Sequence, residues 1–387
     1  MNVFILHFTH PEGYPPALNA INYIADHTNK VTVLSVDTLP TKWNYNKNVD
    51  LILLEGNHNR FEYIKRSKFQ KLKTYANYII KIYKTLKKGD IDLVICYDDV
   101  PFFLYKIASS FISKKTKLWV HNHDVYPITA YKKYGINWFG ATFIQKYFNT
   151  IDYFSLPALE RKIMFPFSTY TGKFFFIPNY PSDRIIKAPN FDQLIIDNEF
   201  INIIYPGSPS FKNGFEELID IFDKKVNGKT IRLTIVGDIP PRYESDLKKY
   251  AQLKGVESQL FFKDRIPYSQ MTDYLKNFHI GWGLYKPVDL SVSTAGTSSN
   301  KIYEFLANGL PIIVYDNEHH KEHLQKCEAA FFSDLSKESI LSIISIIDKN
   351  MIFYKKLARK EFEDNYQFEK NFKVAFNTVQ EDISCKY

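Results

Sequence analysis

The sequence predicts an α/β protein built from two units, each a mostly parallel sheet covered by helices. Three observations carry that prediction. The 387 residues are too many for one ordinary core. Short apolar runs alternate with helical stretches, the pattern of a parallel sheet with helices on its faces. The alternation breaks over Asn179 to Asn198, which holds Pro181, Pro189 and several charges, and then restarts.

In the first half the strand-like runs are Val3 to Phe8, Val31 to Val36, Leu51 to Leu54, Leu93 to Tyr97, Leu118 to His121, Tyr153 to Leu156 and Phe174 to Ile177. Between them the spacing predicts helices over Ala17 to Asp26, about Phe61 to Leu86, and near Phe143 to Phe148. The second half offers strands at Ile201 to Pro206, Ile231 to Val236, Leu260 to Lys263 and His279 to Leu284, with helices at Phe215 to Asp223, Ser245 to Leu253 and Tyr268 to Asn277. The expected architecture is two Rossmann-like domains facing across a cleft. Residues 1–180 form the first, 181–200 a linker, 201–361 the second, and 362–387 a last helix packing back on the first. Ligands of open parallel sheets bind beyond the carboxyl ends of the strands, so function is sought in the strand-end loops.

Hydrophobic residues make up 45% of the chain and charged residues 24%, a globular balance, with 32 Phe and 27 Tyr making it rich in aromatics. The net charge of +8 favours an anionic partner: a nucleotide, an acidic membrane surface or nucleic acid. Cys96, Cys327 and Cys385 are scattered, which argues against a disulfide framework and a zinc site and fits a reducing cytoplasm. The opening run NVFILHF is short and meets His10, Pro11 and Gly13, so it reads as a core strand rather than a signal peptide. No apolar run is long enough to span a bilayer.

The most informative stretch is TSSNKIYEFLANGLPIIV, Thr297 to Val314. Ile302, Phe305 and Leu306 have the spacing of a buried helical face, so Glu304 is expected to point away from it, toward a cleft or toward water. Thr297, Ser298, Ser299, Asn300 and Lys301 stand where that helix begins. The first N–H groups there lack intrahelical partners, and a diphosphate suits such a place. A capped helix followed by a buried strand is the plain alternative.

From about Asn202 to Val314 the chain resembles the donor-binding domain of the GT-B glycosyltransferases, most closely family 4, the retaining sugar-nucleotide enzymes. Four motifs carry the resemblance in order: Tyr205 to Phe222, with its glycine turn and Lys-Gly helix entry; Thr234 to Leu275, from Val-Gly-Asp to an Arg-hydrophobic-Pro loop; the strand His279 to Leu284; and the Asn-Lys-aliphatic-aromatic-Glu pattern before Val314. The resemblance implies that Glu304 binds the nucleotide ribose, since an ionised carboxylate accepts hydroxyl hydrogen bonds well. It implies that Lys212 neutralises the leaving diphosphate. Gly207, Ser208, Gly237, Asp238 and Arg265 then border the donor, and the main chain of Ile266 holds the base. Three departures stand out. Ser208 replaces an arginine, Lys212 lies one residue early relative to Gly214, and Gly296 stands eight residues before Glu304 where the first of two acids belongs. Either backbone N–H groups from Ala295 to Ser299 take over the work of that acid, or the donor differs.

In the first half, KLWVHNHDVYP, Lys117 to Pro127, resembles the family segment whose histidine approaches the donor sugar. His121 and His123 are the catalytic candidates, because an imidazole can hold a sugar hydroxyl and its ordinary pKa suits proton traffic near neutrality. Each reads equally well as a satisfied strand-end histidine. Gly13, Asp99 and Asp124 are candidates for holding the acceptor. The landmarks Pro178-Asn179 also match, although Tyr180 replaces the usual glycine.

No Asp-x-Asp pair follows a strand, so metal-independent transfer without a resident cofactor is expected, the nucleotide sugar being a co-substrate of unknown base. Arg60 to Lys88 holds ten basic residues and one acid, Glu62, among Tyr75, Tyr78, Ile79, Ile80, Ile82 and Tyr83. That stretch suits an anionic membrane surface, or else a solvated helix face. No nucleic-acid-binding module is recognised. The expected protein is a cytoplasmic glycosyltransferase, peripheral on the inner face of the membrane, acting on a glycan or lipid-linked glycan in surface polysaccharide or glycoconjugate synthesis. The alternatives are a non-catalytic binding partner of the same fold, an inverting transferase, or a sugar-nucleotide epimerase.

Overall fold

The computed structural model describes residues 1–39, 43–54, 63, 65–191 and 199–385. The chain divides into two compact units, Met1–Pro178 with Phe368–Tyr387, and Asn179–Gln367.

The first unit is a parallel sheet of β1 (Asn2–His7), β2 (Lys30–Val36), β3 (Val49–Leu54), β4 (Leu93–Tyr97), β5 (Lys117–His121), β6 (Tyr153–Leu156) and β7 (Lys173–Phe176). Their order is β3-β2-β1-β4-β5-β6-β7. Helices cover the sheet, so its strands are apolar on both sides, and Val3, Phe4, Ile5 and Leu6 have no solvent exposure. The order reverses between β1 and β4, where His7 pairs with Tyr97. Loops after those strands diverge there and leave room for a ligand.

The helix Lys68–Lys87 starts later than the expected Phe61 because Ser67 and Gln70 form a capping box. Arg60, Phe61, Glu62 and Ile64 lie outside the described residues. Its buried Thr74, Tyr78, Ile82 and Leu86 recur every fourth residue on one face. The helix Asp99–Ser109 begins directly after Asp98 and has no counterpart in the sequence reading.

The expected last helix from Phe362 is two helices, Met351–Asn365 and Phe368–Ser384, and the unit boundary falls in the break between them. In the second of these, Phe372 stacks on Trp119 at 5.6 Å and meets Tyr23 edge-on. Asp382 pairs with Lys173 at 2.8 Å.

The second unit holds β8 (Phe200–Pro206), β9 (Lys225–Val226), β10 (Lys229–Val236), β11 (Leu260–Lys263), β12 (Ile280–Trp282), β13 (Ile312–Tyr315) and β14 (Ala330–Ser333). The order is β11-β10-β8-β12-β13-β14, all parallel, with β9 antiparallel on β10. Here the reversal falls between β8 and β12. Residues 181–191, expected as linker, belong to this unit: the Ile186 carbonyl accepts from Arg359 at 3.0 Å. Residues 192–198 lie outside the described residues.

Candidate functional site

In the second unit, the turns after β8 and β10 meet. Gly207 has φ 133° and Gly237 φ 140°, and a Cβ on Gly237 would lie 2.6 Å from the Gly207 carbonyl oxygen. Only glycine permits both that backbone and that approach. Ser208 beyond the first turn is exposed. Asp238 and Arg265 form a pair at 3.4 Å, and Ile266 is half-buried beside it.

Lys212 lies in a short 3-10 turn, Phe211–Asn213, and its ammonium is engaged by Asp289 at 2.7 Å. The structure explains why this lysine stands one residue early. Asn213 occupies the usual position and is buried as an anchor: its side chain donates to the Leu284 carbonyl at 3.2 Å, and its carbonyl accepts from Trp282 Nε1 at 2.7 Å. A lysine would keep the main-chain carbonyl but has no side-chain acceptor for the Ser210 N–H, which donates to Asn213 Oδ1 at 2.9 Å.

The helix carrying the acid spans Asn300–Ala307. Of the two directions expected for Glu304, a cleft or water, it does not take the one into water: it is 7% exposed. Tyr268 donates to its Oε1 at 2.7 Å and Asn300 at 2.5 Å, which leaves Oε2 with its acceptor sites. Burial raises its pKa to about 7, against the downward pull of those two bonds and of the Lys301 charge.

The amides assigned to the diphosphate need correction. Ala295–Ser298 is itself a helical turn, and the N–H groups of Thr297, Ser298 and Ser299 are already bonded to Thr294 and Ala295 carbonyls. The next helix start is different. Ser299 at its cap makes no side-chain bond to the first turn, and its hydroxyl turns instead to Tyr285 at 3.3 Å. The anion-ready end is therefore that of Asn300–Ala307.

The place of the missing acid is filled. A Cβ on Gly296 would fall 2.6 Å from His319 Nδ1 and 3.0 Å from its carbonyl oxygen, and the Tyr303 hydroxyl bonds the Gly296 carbonyl. Asn179 ties to the same turn, its N–H on the Thr297 carbonyl at 2.9 Å and its amide on that of Ser298 at 2.7 Å. Tyr180, where glycine was expected, packs against Tyr303 and Tyr366 at 4.5 and 5.5 Å.

In the first unit the loops after β1, β4 and β5 gather a nest of rings. His123 lies 4.0 Å from the His121 ring, 4.8 Å from Tyr14 and 5.4 Å from Tyr97. His121 Nδ1 shares a bond with the Ser155 hydroxyl at 2.5 Å. Among the described residues neither ring nitrogen of His123 has a hydrogen-bond partner. The Arg161 guanidinium bonds the His123 carbonyl. Burial lowers the pKa of His121 to about 3 and of His7 to about 4, and holds His123 far below the ordinary value. In the folded protein these imidazoles stay neutral near pH 7, so they suit holding a hydroxyl rather than the proton traffic expected of them.

Asp98, at φ 67°, accepts the main-chain N–H groups of His123 and Asp124 at 2.7 and 3.3 Å. Asp124 is exposed, while Gly13 is half-buried and closes the turn Pro11–Gly13. Asp99 accepts from Asn122 at 2.5 Å, and burial lifts its pKa to about 7 despite that bond. Both border a cavity of about 360 Å³ walled by Val125, Tyr126, Ile144 and Phe165. Sequence reasoning missed Tyr268, Tyr285 and Arg161. Of these only Tyr268 carried a signal, as the residue directly after the Arg265-Ile266-Pro267 loop.

Two parallel-sheet units, each with polar strand-end groups at its reversal point, match the two-domain GT-B fold. Residues 201–347 match the family described as "Glycosyl transferases group 1", so this stretch of the second unit is similar to a group 1 glycosyltransferase domain. Three solved structures share the fold. Sucrose-phosphate synthase from Thermosynechococcus elongatus is similar with TM-score 0.70 and 12% identity over all of both chains. Anabaena HepE, in complex with UDP and glucose, gives 0.63 and 12% over 98% of this chain and all of the other. WaaG, a glycosyltransferase involved in lipopolysaccharide biosynthesis, gives 0.62 and 15% over 97% and 98%. No curated protein sequence matches the chain.

Proposed function

We propose that this protein moves a sugar from a nucleoside diphosphate sugar to a glycan or lipid-linked glycan, with retention of configuration and without a metal ion or resident cofactor, in surface polysaccharide or glycoconjugate synthesis. The observation that carries the reading is Glu304. It is a buried acid with one oxygen held by Tyr268 and Asn300 and the other open, on the first turns of a helix whose start lacks a side-chain cap. A ribose takes the open oxygen, and a diphosphate takes the helix start. The UDP carried by HepE and the lipopolysaccharide role of WaaG support the same donor and acceptor classes.

On the acceptor side, Asp99 and Asn122 beside an apolar wall suit a hydroxyl-bearing ring with an apolar face. The neutral His121 and His123 are positioned to hold hydroxyls rather than to transfer protons. The helix Lys68–Lys87 is proposed to meet an anionic membrane surface; among the described residues no helix is long and apolar enough to cross a membrane.

The deciding experiment is titration of UDP-, GDP-, ADP- and CMP-linked sugars into wild type and Glu304→Gln, with chelator present, followed by transfer assays reading product configuration. One donor should bind, weaken about tenfold or more in the variant, and be turned over with retention. A folded protein that binds no donor sinks the reading. Donor binding without hydrolysis or transfer would favour a non-catalytic binding partner, a reading that the closed position at Gly296 and the absent arginine at Ser208 both support.

A further inference from the structure

One ammonium in the second unit feels the charge of Glu304 but makes no direct ion pair. Lys301 Nζ donates to the Tyr285 hydroxyl at 2.9 Å and lies over the rings of Tyr205 and Tyr285 at 5.2 and 5.5 Å. Among the described residues no Asp or Glu pairs with it within 4.0 Å. Burial works against its charge, but Tyr205 and Tyr285, and then Glu304, hold its pKa above the ordinary lysine range. The same contact draws the Tyr285 phenol below its usual value, overriding burial. A charge whose direct contacts are phenols and ring faces, with Glu304 acting on it only at a distance, is incompletely compensated.

Its position is as telling as its partners. A Cβ on Gly207 would fall 2.3 Å from Lys301 Cε and 3.0 Å from Nζ, so the ammonium rests on the bare backbone of the β8 turn. Ser208, the next residue, is the exposed side chain standing where the resemblance expects an arginine. Lys212, the other expected cation, is engaged by Asp289 at 2.7 Å. The helix that carries Glu304 thus places the Lys301 ammonium at the end of β8.

We propose that Lys301, parked on Tyr285 above Gly207, is the residue that receives the diphosphate of the donor, in place of the arginine replaced by Ser208 and ahead of Lys212. An arriving phosphate oxygen exchanges a neutral phenol for an anion as the partner of the ammonium, at the same helix start whose amides are open. The proposal rests on the nucleotide-sugar reading of the site and names its diphosphate contact.

The test is calorimetric titration of UDP, GDP and ADP, of the corresponding monophosphates, and of inorganic pyrophosphate into wild type, Lys301→Met, Lys301→Gln and Lys212→Met. Lys301→Gln keeps a donor for Tyr285 should Lys301→Met not fold. Wild type should bind one diphosphate more tightly than its monophosphate. The Lys301 variants should lose about tenfold or more of that preference, with monophosphate affinity unchanged and Lys212→Met affected less. Adding Ser208→Arg to Lys301→Met should restore the preference. A folded Lys301 variant that keeps the wild-type preference overturns the proposal. Pyrophosphate binding that depends on Lys301, in a protein that binds no nucleotide, would sustain the anion site and sink the donor reading. Binding of neither sinks both.

Discussion

At the scale of single residues, Glu304 ties function to pH with two opposite signs. Its pKa is raised by burial to about 7 from 4.5. A nucleotide-linked sugar has no phosphate proton to lose near neutrality, so any change in its affinity across pH 6 to 8 belongs to the protein. Ribose hydroxyls need the ionised acid, so donor affinity should rise as pH rises through about 7. In Glu304→Gln it should be flat and weaker at the upper end. Stability runs the other way. A raised carboxyl favours the folded state fully below its unfolded pKa, and that contribution fades as pH climbs through the folded value. Melting curves should therefore show Glu304→Gln gaining on wild type between pH 5 and 8, by up to about 3 kcal/mol. A donor affinity in wild type that falls across this window would remove Glu304 from the ribose. The acid's existence and helix were legible in Thr297 to Val314. Its burial was not, because the partner that covers it, Tyr268, lies 36 residues away in the chain.

At the scale of elements, periodicity found the strands well because parallel strands are apolar on both faces, and boundaries failed where a cap decided them. Ser67 and Gln70 begin the basic helix, and the Asn213 anchor displaces a lysine. Neither depends on hydrophobic pattern. The basic helix also shows what the pattern could not separate. Tyr78 and Ile82, read as interleaved with the lysines, are core residues, and the Tyr78 hydroxyl reaches the Leu34 carbonyl at 3.0 Å. The most exposed apolar groups of the helix are Phe69 and Leu72, 78% and 62% exposed, near the exposed Lys65, Lys68 and Lys73. Each such lysine near an acidic bilayer contributes on the order of 1 kcal/mol, and the two apolar side chains add their burial. Vesicles containing acidic lipid should sediment the protein at low salt, neutral vesicles should not, and salt should weaken the effect. Phe69→Ser with Leu72→Ser should weaken it about tenfold or more. Equal sedimentation with neutral vesicles would leave the helix a solvated face.

At the scale of the whole molecule, the first unit is closed by the two ends of the chain. The helix Phe368–Ser384 lays Phe372 on Trp119 and Tyr23, and Asp382 on Lys173 and Tyr153. Every residue assigned to the nucleotide and its diphosphate lies instead within Asn179–Gln367, around a core of its own made of Ile203, Phe215, Leu233, Trp282 and Ile344. Damage to the last helix should thus be felt by one unit only. Phe372→Ala removes a buried ring and should cost the first unit about 3–5 kcal/mol. Denaturation followed by tryptophan fluorescence should then show an early transition from Trp119 and a late one from Trp282. Bound nucleotide should raise only the late one, since a ligand stabilises the unit that holds it. Donor affinity should stay at the wild-type value. If nucleotide raises both transitions together, or if Phe372→Ala abolishes donor binding in protein whose second transition is intact, the donor site draws on the first unit and cannot be assigned to Asn179–Gln367 alone.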